Sequence, residues 1–241
     1  MKSRRHQDQG AVYPLGSFRR DDEDDDKLFY LVPRLVVHVD EQAVRAIRDY
    51  FSATLPRDGT ILDLMSSWRS HMPDGLTGRT VGLGLNAVEL AENPQLHERV
   101  IHDLNANTVL PFDDESFDAA VVTVSIQYMT SPVEVFAQVN RVLAKGAGFH
   151  VIYSNRMFPT KAVAAWKALD DGQRADLIAS YFKSAGGWNT PGWLDISPSV
   201  SSYSDPVYVV TAKKSVEATA HRGRSREMSV GDWSGGRQEW R

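Results

Sequence analysis

Between Thr60 and Tyr153 the chain alternates short aliphatic runs with helix-patterned stretches, and this alternation limits the fold more than any other feature. The runs are Thr60-Ile-Leu-Asp-Leu64, Thr80-Val-Gly-Leu-Gly-Leu85, Arg99-Val-Ile-His102, Ala119-Ala-Val-Val-Thr-Val124 and Gly148–Tyr153. Their length and aliphatic content suit buried strands. A turn and a short helix are expected after the first run, and a helix over Ala87–Glu92 after the second. Pro132–Leu143 has the pattern of an amphipathic helix, and Lys145-Gly146-Ala147-Gly148 that of a turn. Parallel strands need crossovers of this kind, so the sequence predicts an α/β fold with a mostly parallel sheet and helices on both faces.

The flanks extend this body. Glu41 to Leu55 carries Val44, Ile47, Tyr50 and Phe51 at helical spacing, with Val39-Asp40 ahead of it as the helix start. Pro159 to Phe182 reads as one longer helical region. Trp193–Ser197 and Pro206–Thr211 read as two closing strands in an antiparallel edge hairpin. Residues 1–27 hold Arg4-Arg5-His6, Arg19-Arg20 and the acidic block Asp21–Asp26. Like charges in a row repel, so this segment is expected to be a solvated tail. From Ser215 the chain is polar and rich in Arg and Gly, which predicts a second tail over 215–241 and one domain over 28–214.

Composition narrows the function. The chain has 241 residues, 42% hydrophobic and 24% charged, with a formal net charge of −4. This is the make-up of a globular protein with no global attraction to nucleic acid or to an anionic membrane. It has no cysteine, which excludes disulfides, thiolate catalysis and Cys-ligated metal. The histidines are scattered without ligand spacing, so no metal is expected. No apolar run is long enough to span a bilayer and the N-terminus lacks an apolar leader, so the expected location is the cytoplasm.

In open α/β sheets, ligands bind beyond the carboxyl ends of the strands where strand order reverses. The first strand, with Asp63, should mark that point. The third strand ends at Asp103-Leu104, followed by Leu110-Pro-Phe112 and Ser116-Phe-Asp118. In this order the segments resemble the class I S-adenosylmethionine (SAM)-dependent methyltransferases, in particular the type 11-like group. The resemblance covers roughly residues 55–214. It implies a seven-stranded Rossmann-like sheet with its last strand antiparallel, SAM as cofactor, and methyl transfer to a small-molecule acceptor.

The resemblance also assigns residues. Asp103 would accept the adenine amine while Leu104 packs on the ring. The glycine-rich turn of the family is replaced by Met65-Ser66-Ser67-Trp68-Arg69-Ser70-His71, so Met65, Ser66 and Ser67 would meet the methionyl end of the cofactor with their side chains. Gly84 stands where the family places the acid for the ribose, leaving Asn86 to bond a ribose hydroxyl or to cap the next helix. Ser125, Gln127 and Tyr128 follow the fourth strand beside the transferring methyl group. Gln127 and Tyr128 would orient the acceptor or act on its proton, and His71 could take that proton. Tyr30, Arg34 and His38 would fold over the pocket from the N-terminal side, Trp68 would wall it, and Asn155 and Arg156 would hold an anionic acceptor.

The altered turn leaves two further readings open. One is SAM chemistry without methyl transfer, such as cyclisation or lyase chemistry. The other is a non-catalytic binding or regulatory protein. A nicotinamide oxidoreductase would need G-x-G-x-x-G after the first strand, where this chain has no glycine.

Overall fold

The computed structural model describes residues 13–198 and 204–216. Seven strands form one sheet: β1 Thr60–Leu64, β2 Arg79–Gly84, β3 Glu98–Ile101, β4 Phe117–Thr123, β5 Leu143–Tyr153, β6 Gly192–Asp195 and β7 Tyr208–Lys213. Their order is β3-β2-β1-β4-β5-β7-β6. All neighbours are parallel except β7, which runs antiparallel to both β5 and β6. This is the class I methyltransferase topology. β1 lies between β2 and β4, so the strand order reverses at the tip that carries Asp63.

The two-residue period of the strands sorts the core into two layers. Ile61, Ala119, Val121 and Ile152 face α2 (Glu41–Thr54) through its buried stripe of Ala43, Ile47 and Phe51. Leu62, Val122, Phe149 and Val151 face the other way, onto α4 (Pro132–Val142) and α6 (Asp171–Ala185). Phe51, Phe136 and Phe182 are fully buried, and trimming any of them to alanine is expected to cost about 3–5 kcal/mol. The remaining helices are short: α1 Asp26–Phe29, α3 Ala87–Ala91 and α5 Ala164–Ala168. Asp40 caps α2 through the amides of Gln42 and Ala43, as the sequence suggested.

Several expectations are corrected. No helix follows β1, because residues 65–78 are irregular. Side chains pin this loop instead: Gln95 bonds the backbone of Met72 on both sides, and Asn93 bonds the Ser67 carbonyl. The helical region after Pro159 is two helices, because Asp170 and Gln173 form a capping box that starts α6 afresh. The turn expected at 145–148 lies within β5, where Gly146 has φ +79° and the register to β4 shifts.

The largest correction concerns the N-terminal tail. Its described part, residues 13–27, packs on the body. Tyr13 and Phe18 lie against Tyr181, and the acidic block meets a buried cation. Lys161 has no exposed surface and reaches Asp22 at 3.1 Å and Asp26 at 3.2 Å, while Arg20 holds Asp26 at 2.7 Å. The acidic run is tolerated there because the distant Lys161 and the adjoining Arg20 neutralise its buried part. Residues 1–12 and 217–241 lie outside the described residues, as does most of the expected C-terminal tail. Among the described residues no helix is long and apolar enough to cross a membrane, and no group of His, Asp and Glu is arranged to hold a metal.

Candidate active site

A cavity opens at the carboxyl tips of β1 to β4 and is roofed by the N-terminal segment. Asp63, Met65 to Arg69 and His71 come from β1 and its loop, and Gly84 to Asn86 and Glu89 from β2 and α3. His102 to Asn105 follow β3, and Thr123 to Ser125 with Tyr128 follow β4. Asp26, Tyr30, Arg34 and Val36 to Val39 form the roof. A second cavity adjoins the first and shares Val37, His38, Val124, Tyr128 and Phe158 with it. Asn155, Arg156, Met157 and Pro159 complete its lining.

The backbone is strained around the first cavity. Of four non-glycine residues with positive φ among the described residues, three line it: Met65 (+53°), His71 (+54°) and Val124 (+51°). Valine is poorly suited to this region because its branched Cβ crowds the backbone. The Val124 amide is held by a 2.8 Å hydrogen bond to the Ile152 carbonyl. Such strain persists only where the surroundings fix it, and it gathers at functional sites.

The turn after β1 is made without glycine. Met65 takes the left-handed conformation, and the Ser66 amide donates to the Leu83 carbonyl at 2.8 Å. Ser66 and Ser67, expected from the sequence at the methionyl end of the cofactor, line the cavity with their hydroxyls donated to protein acids. Ser66 Oγ and Ser70 Oγ both donate to Asp63 Oδ2 at 2.6 Å, and Ser67 Oγ donates to Glu89 Oε2 at 2.6 Å. Asp63 is 3% exposed and has no cationic partner among the described residues. Burial pushes its carboxyl up to about 6, against the pull of the two hydroxyls.

Asn86 caps α3. Its Oδ1 accepts from the amides of Val88 and Glu89, and its Nδ2 donates to the Tyr30 carbonyl. The capping alternative therefore describes it. Gly84 leaves room for the neighbouring turn. Asp103 Oδ1 accepts from the amides of Asn105 and Ala106, and Oδ2 has no hydrogen-bond partner among the described residues. Leu104 is buried beneath the same loop. Ser125 Oγ donates to the Thr123 carbonyl.

Gln127 is misplaced in the sequence reading. It lines neither cavity, is 1% exposed, and braces the carbonyls of Val124 and Arg156 with its amide nitrogen. Tyr128 lines both cavities, and its hydroxyl accepts from the Phe158 amide at 2.8 Å. Burial raises its pKa, so it is a hydrogen-bond donor and not a base. His71 and His38 both face the first cavity and both lose basicity through burial, His71 down to about 4. Both are neutral imidazoles near pH 7.

The roof is tied down at several points. Trp68 Nε1 donates to the Val36 carbonyl, and the Arg34 amide donates to Glu89 Oε1 at 2.7 Å. The Arg34 guanidinium stacks 4.2 Å from the centre of the Phe29 ring, and burial raises the Tyr30 pKa. Arg156 lines the second cavity and pairs loosely with Asp205 at 3.5 Å.

Two cavity acids escaped the sequence reading. Asp26 sat inside the run taken for a solvated tail. Glu89 had a signal: Asn86-x-x-Glu89 has the spacing of a capping box, which places the acid in the first helical turn. Its carboxylate turns instead toward Ser67 and Arg34.

A family model described as a methyltransferase domain matches residues 70–151. That stretch runs from the loop after β1 to near the end of β5 and so contains the tips of β2, β3 and β4. Over this stretch the chain is similar to the class I SAM-dependent methyltransferases. Solved structures share this methyltransferase fold at low identity. The cyclase SpnF is 18% identical with a TM-score of 0.55, covering 77% of this chain and 90% of its own. A putative methyltransferase from Haloferax volcanii, solved with a methyltransferase activator, is 13% identical with a TM-score of 0.53, covering 74% and 92%. A possible histamine N-methyltransferase from Thermotoga maritima is 17% identical with a TM-score of 0.52, covering 71% and 88%. No curated protein matches the chain.

The cofactor of this methyltransferase family is SAM, and the donor set fits it. Its ammonium and sulfonium are cationic, and the cavity offers Asp63, a buried carboxylate without a cation. Asp103 Oδ2 is open to an exocyclic amine, and Met65, Leu85 and Leu104 supply apolar walls for a purine.

Proposed function

We propose that the protein is a SAM-dependent methyltransferase acting on a small-molecule acceptor that enters through the second cavity. The observation that carries this reading is the wall shared by the two cavities. Val37, His38, Val124, Tyr128 and Phe158 border both, so two ligands could meet across it. When bound, SAM supplies an electrophilic methyl group on a sulfonium. The protein's task is then to hold donor and acceptor in near-attack geometry, which can lower the barrier by several kcal/mol, about 7–11 in the best cases.

In this reading Asp63 holds the cofactor ammonium and Asp103 with Leu104 holds the adenine. Tyr128 donates a hydrogen bond to the acceptor atom, because its own oxygen is already engaged by the Phe158 amide. His38 stands on the shared wall and takes the acceptor's proton at a ring nitrogen. His71 lines the cofactor cavity alone, which makes it the less direct candidate. Arg156, Asn155, Met157 and Phe158 suit an acceptor with an apolar body and a polar or anionic end.

A second reading is favoured by the orientation of Ser66 and Ser67. Both hydroxyls are donated to protein acids, so the methionyl end of SAM would be held differently than by a glycine turn. That is compatible with SAM chemistry that needs no acceptor, or with a binding role. Calorimetric titration with S-adenosylhomocysteine (SAH) tests the common element, and absence of binding at millimolar ligand would end both enzymatic readings. Incubation with SAM alone, followed by chromatography, separates them: conversion without any acceptor would replace methyl transfer by the second reading.

A further inference from the structure

We infer that Glu89 is the carboxylate that holds the ribose hydroxyls of the cofactor, a role displaced by one helical turn from the tip of β2. The inference rests on the SAM-binding reading above. A side chain at residue 84 would run into the Ser66 carbonyl, so an acid cannot stand at the strand tip without moving the post-β1 turn. Asn86 offers no free acceptor for a hydroxyl donor, since its amide oxygen already accepts from two amides of the α3 cap and one N–H is given to Tyr30.

Glu89 is the next side chain from this segment with suitable chemistry. It lines the cavity, is 6% exposed, and forms no ion pair among the described residues. Each of its oxygens accepts one hydrogen bond in the structure: Oε1 from the Arg34 amide at 2.7 Å and Oε2 from Ser67 Oγ at 2.6 Å. An ionised carboxylate has about four lone-pair sites, so about two are left. These two bonds fix the group in place and leave one acceptor position on each oxygen. Two adjacent acceptors match two adjacent hydroxyl donors, which is the chemistry of a vicinal diol. The length of glutamate compensates for the setback of one turn. Because Glu89 also joins Arg34 of the roof to Ser67 of the loop, the diol would seat against both elements at once.

The test is equilibrium affinity, measured by calorimetry with SAH and with its 2′-deoxy analogue. Wild-type protein should bind the deoxy analogue about tenfold to a hundredfold more weakly, the range for a hydrogen bond to a buried charge. Glu89→Gln should weaken SAH by a similar factor and discriminate the two ligands by less than roughly threefold. Retention of the full wild-type ratio in a folded Glu89→Gln protein would overturn the assignment. If that variant does not fold, Glu89→Asp serves, since withdrawing the carboxylate by one methylene should also collapse the ratio. An unchanged ratio there would equally overturn it. Ser67→Ala should lose affinity yet keep the ratio, and the reverse pattern, with collapse in Ser67→Ala alone, would transfer the role to the serine hydroxyl. Failure of wild-type protein to bind SAH would strike the SAM reading itself and is thereby distinguishable.

Discussion

A Cβ on Gly84 would collide with the carbonyl oxygen of Ser66. The turn after β1 is zipped onto the end of β2 by the hydrogen bond from the Ser66 amide to Leu83, and the absent side chain at 84 makes room for it. The chain has thus moved its permissive glycine from the turn to the neighbouring strand. Met65 keeps its side chain and takes a left-handed φ of +53°. Restoring the family's acid by Gly84→Asp should therefore not strengthen SAH binding. It should instead destabilise the fold by about 3 kcal/mol or more, since the colliding atom is backbone. Urea unfolding and SAH titration check this together, and an unchanged unfolding midpoint would mean that the turn is not seated on β2.

Asp63 sets stability against function. Its folded pKa of about 6 lies above the ordinary 3.8 because the carboxyl is buried without a cation. The native state therefore binds more protons than the unfolded state across that window, and this group makes stability fall as pH rises from about 4 to 6. Below that window the penalty is absent, and above it the penalty is constant at about 3 kcal/mol. Asp63→Asn keeps an acceptor for Ser66 and Ser70 but removes the charge. The variant should be more stable than wild type above pH 6, equal to it near pH 3.5, and unable to bind SAH tightly. Thermal melts at the two pH values check the first part, and equal destabilisation at both would refute it.

The strand–helix alternation made the sheet legible, because buried parallel strands must be aliphatic and their crossovers must be amphipathic. Asp103 was legible as a loop acid after β3. The roof was not, since Asp21 to Asp26 look solvated until Lys161 and Lys167 are brought to them across long sequence separations. Gln127 had the right place in the chain but the wrong side of the short 3-10 turn Ile126–Tyr128, and a single-residue phase cannot be read from a three-residue element. Glu89 carried only the capping-box spacing, which implies an acid turned back to the helix start and not one bonded to Arg34 and Ser67 beside the cavity.

Lys161 anchors the roof, and its loss should be felt most at neutral pH. Burial alone would raise the Asp26 pKa, but Asn105, Arg20 and Lys161 together hold it below the ordinary carboxylate value. A lowered folded pKa gives stability that is present above the unfolded value of 3.8 and is lost as pH falls through the folded one. Lys161→Met leaves Asp26 with Arg20 and Asn105 and Asp22 without its buried cation. The expected cost is about 3 kcal/mol at pH 7, shrinking as pH falls below the unfolded value of 3.8. Urea unfolding at the two pH values measures this, and a pH-independent loss would assign the effect to packing.

His71 acts on stability with the opposite sign to Asp63. Burial first, then the charges of Arg48 and Arg69, push its pKa from 6.5 down to about 4. The unfolded state binds more protons in that window, so this residue makes stability rise with pH from about 4 to 6.5. His38, lowered, and His150, pushed down to about 4, add in the same direction. His71→Asn isolates the contribution, because asparagine tolerates the left-handed backbone that residue 71 adopts at φ +54°. The variant should gain on wild type by on the order of 3 kcal/mol between neutral pH and pH 4. NMR of the wild-type ring should show no titration from about pH 5.5 to 8. A midpoint near 6.5 would mean that the imidazole is solvated. It would then be half-charged near neutral pH, and the roof would not exclude water from the cavity it covers.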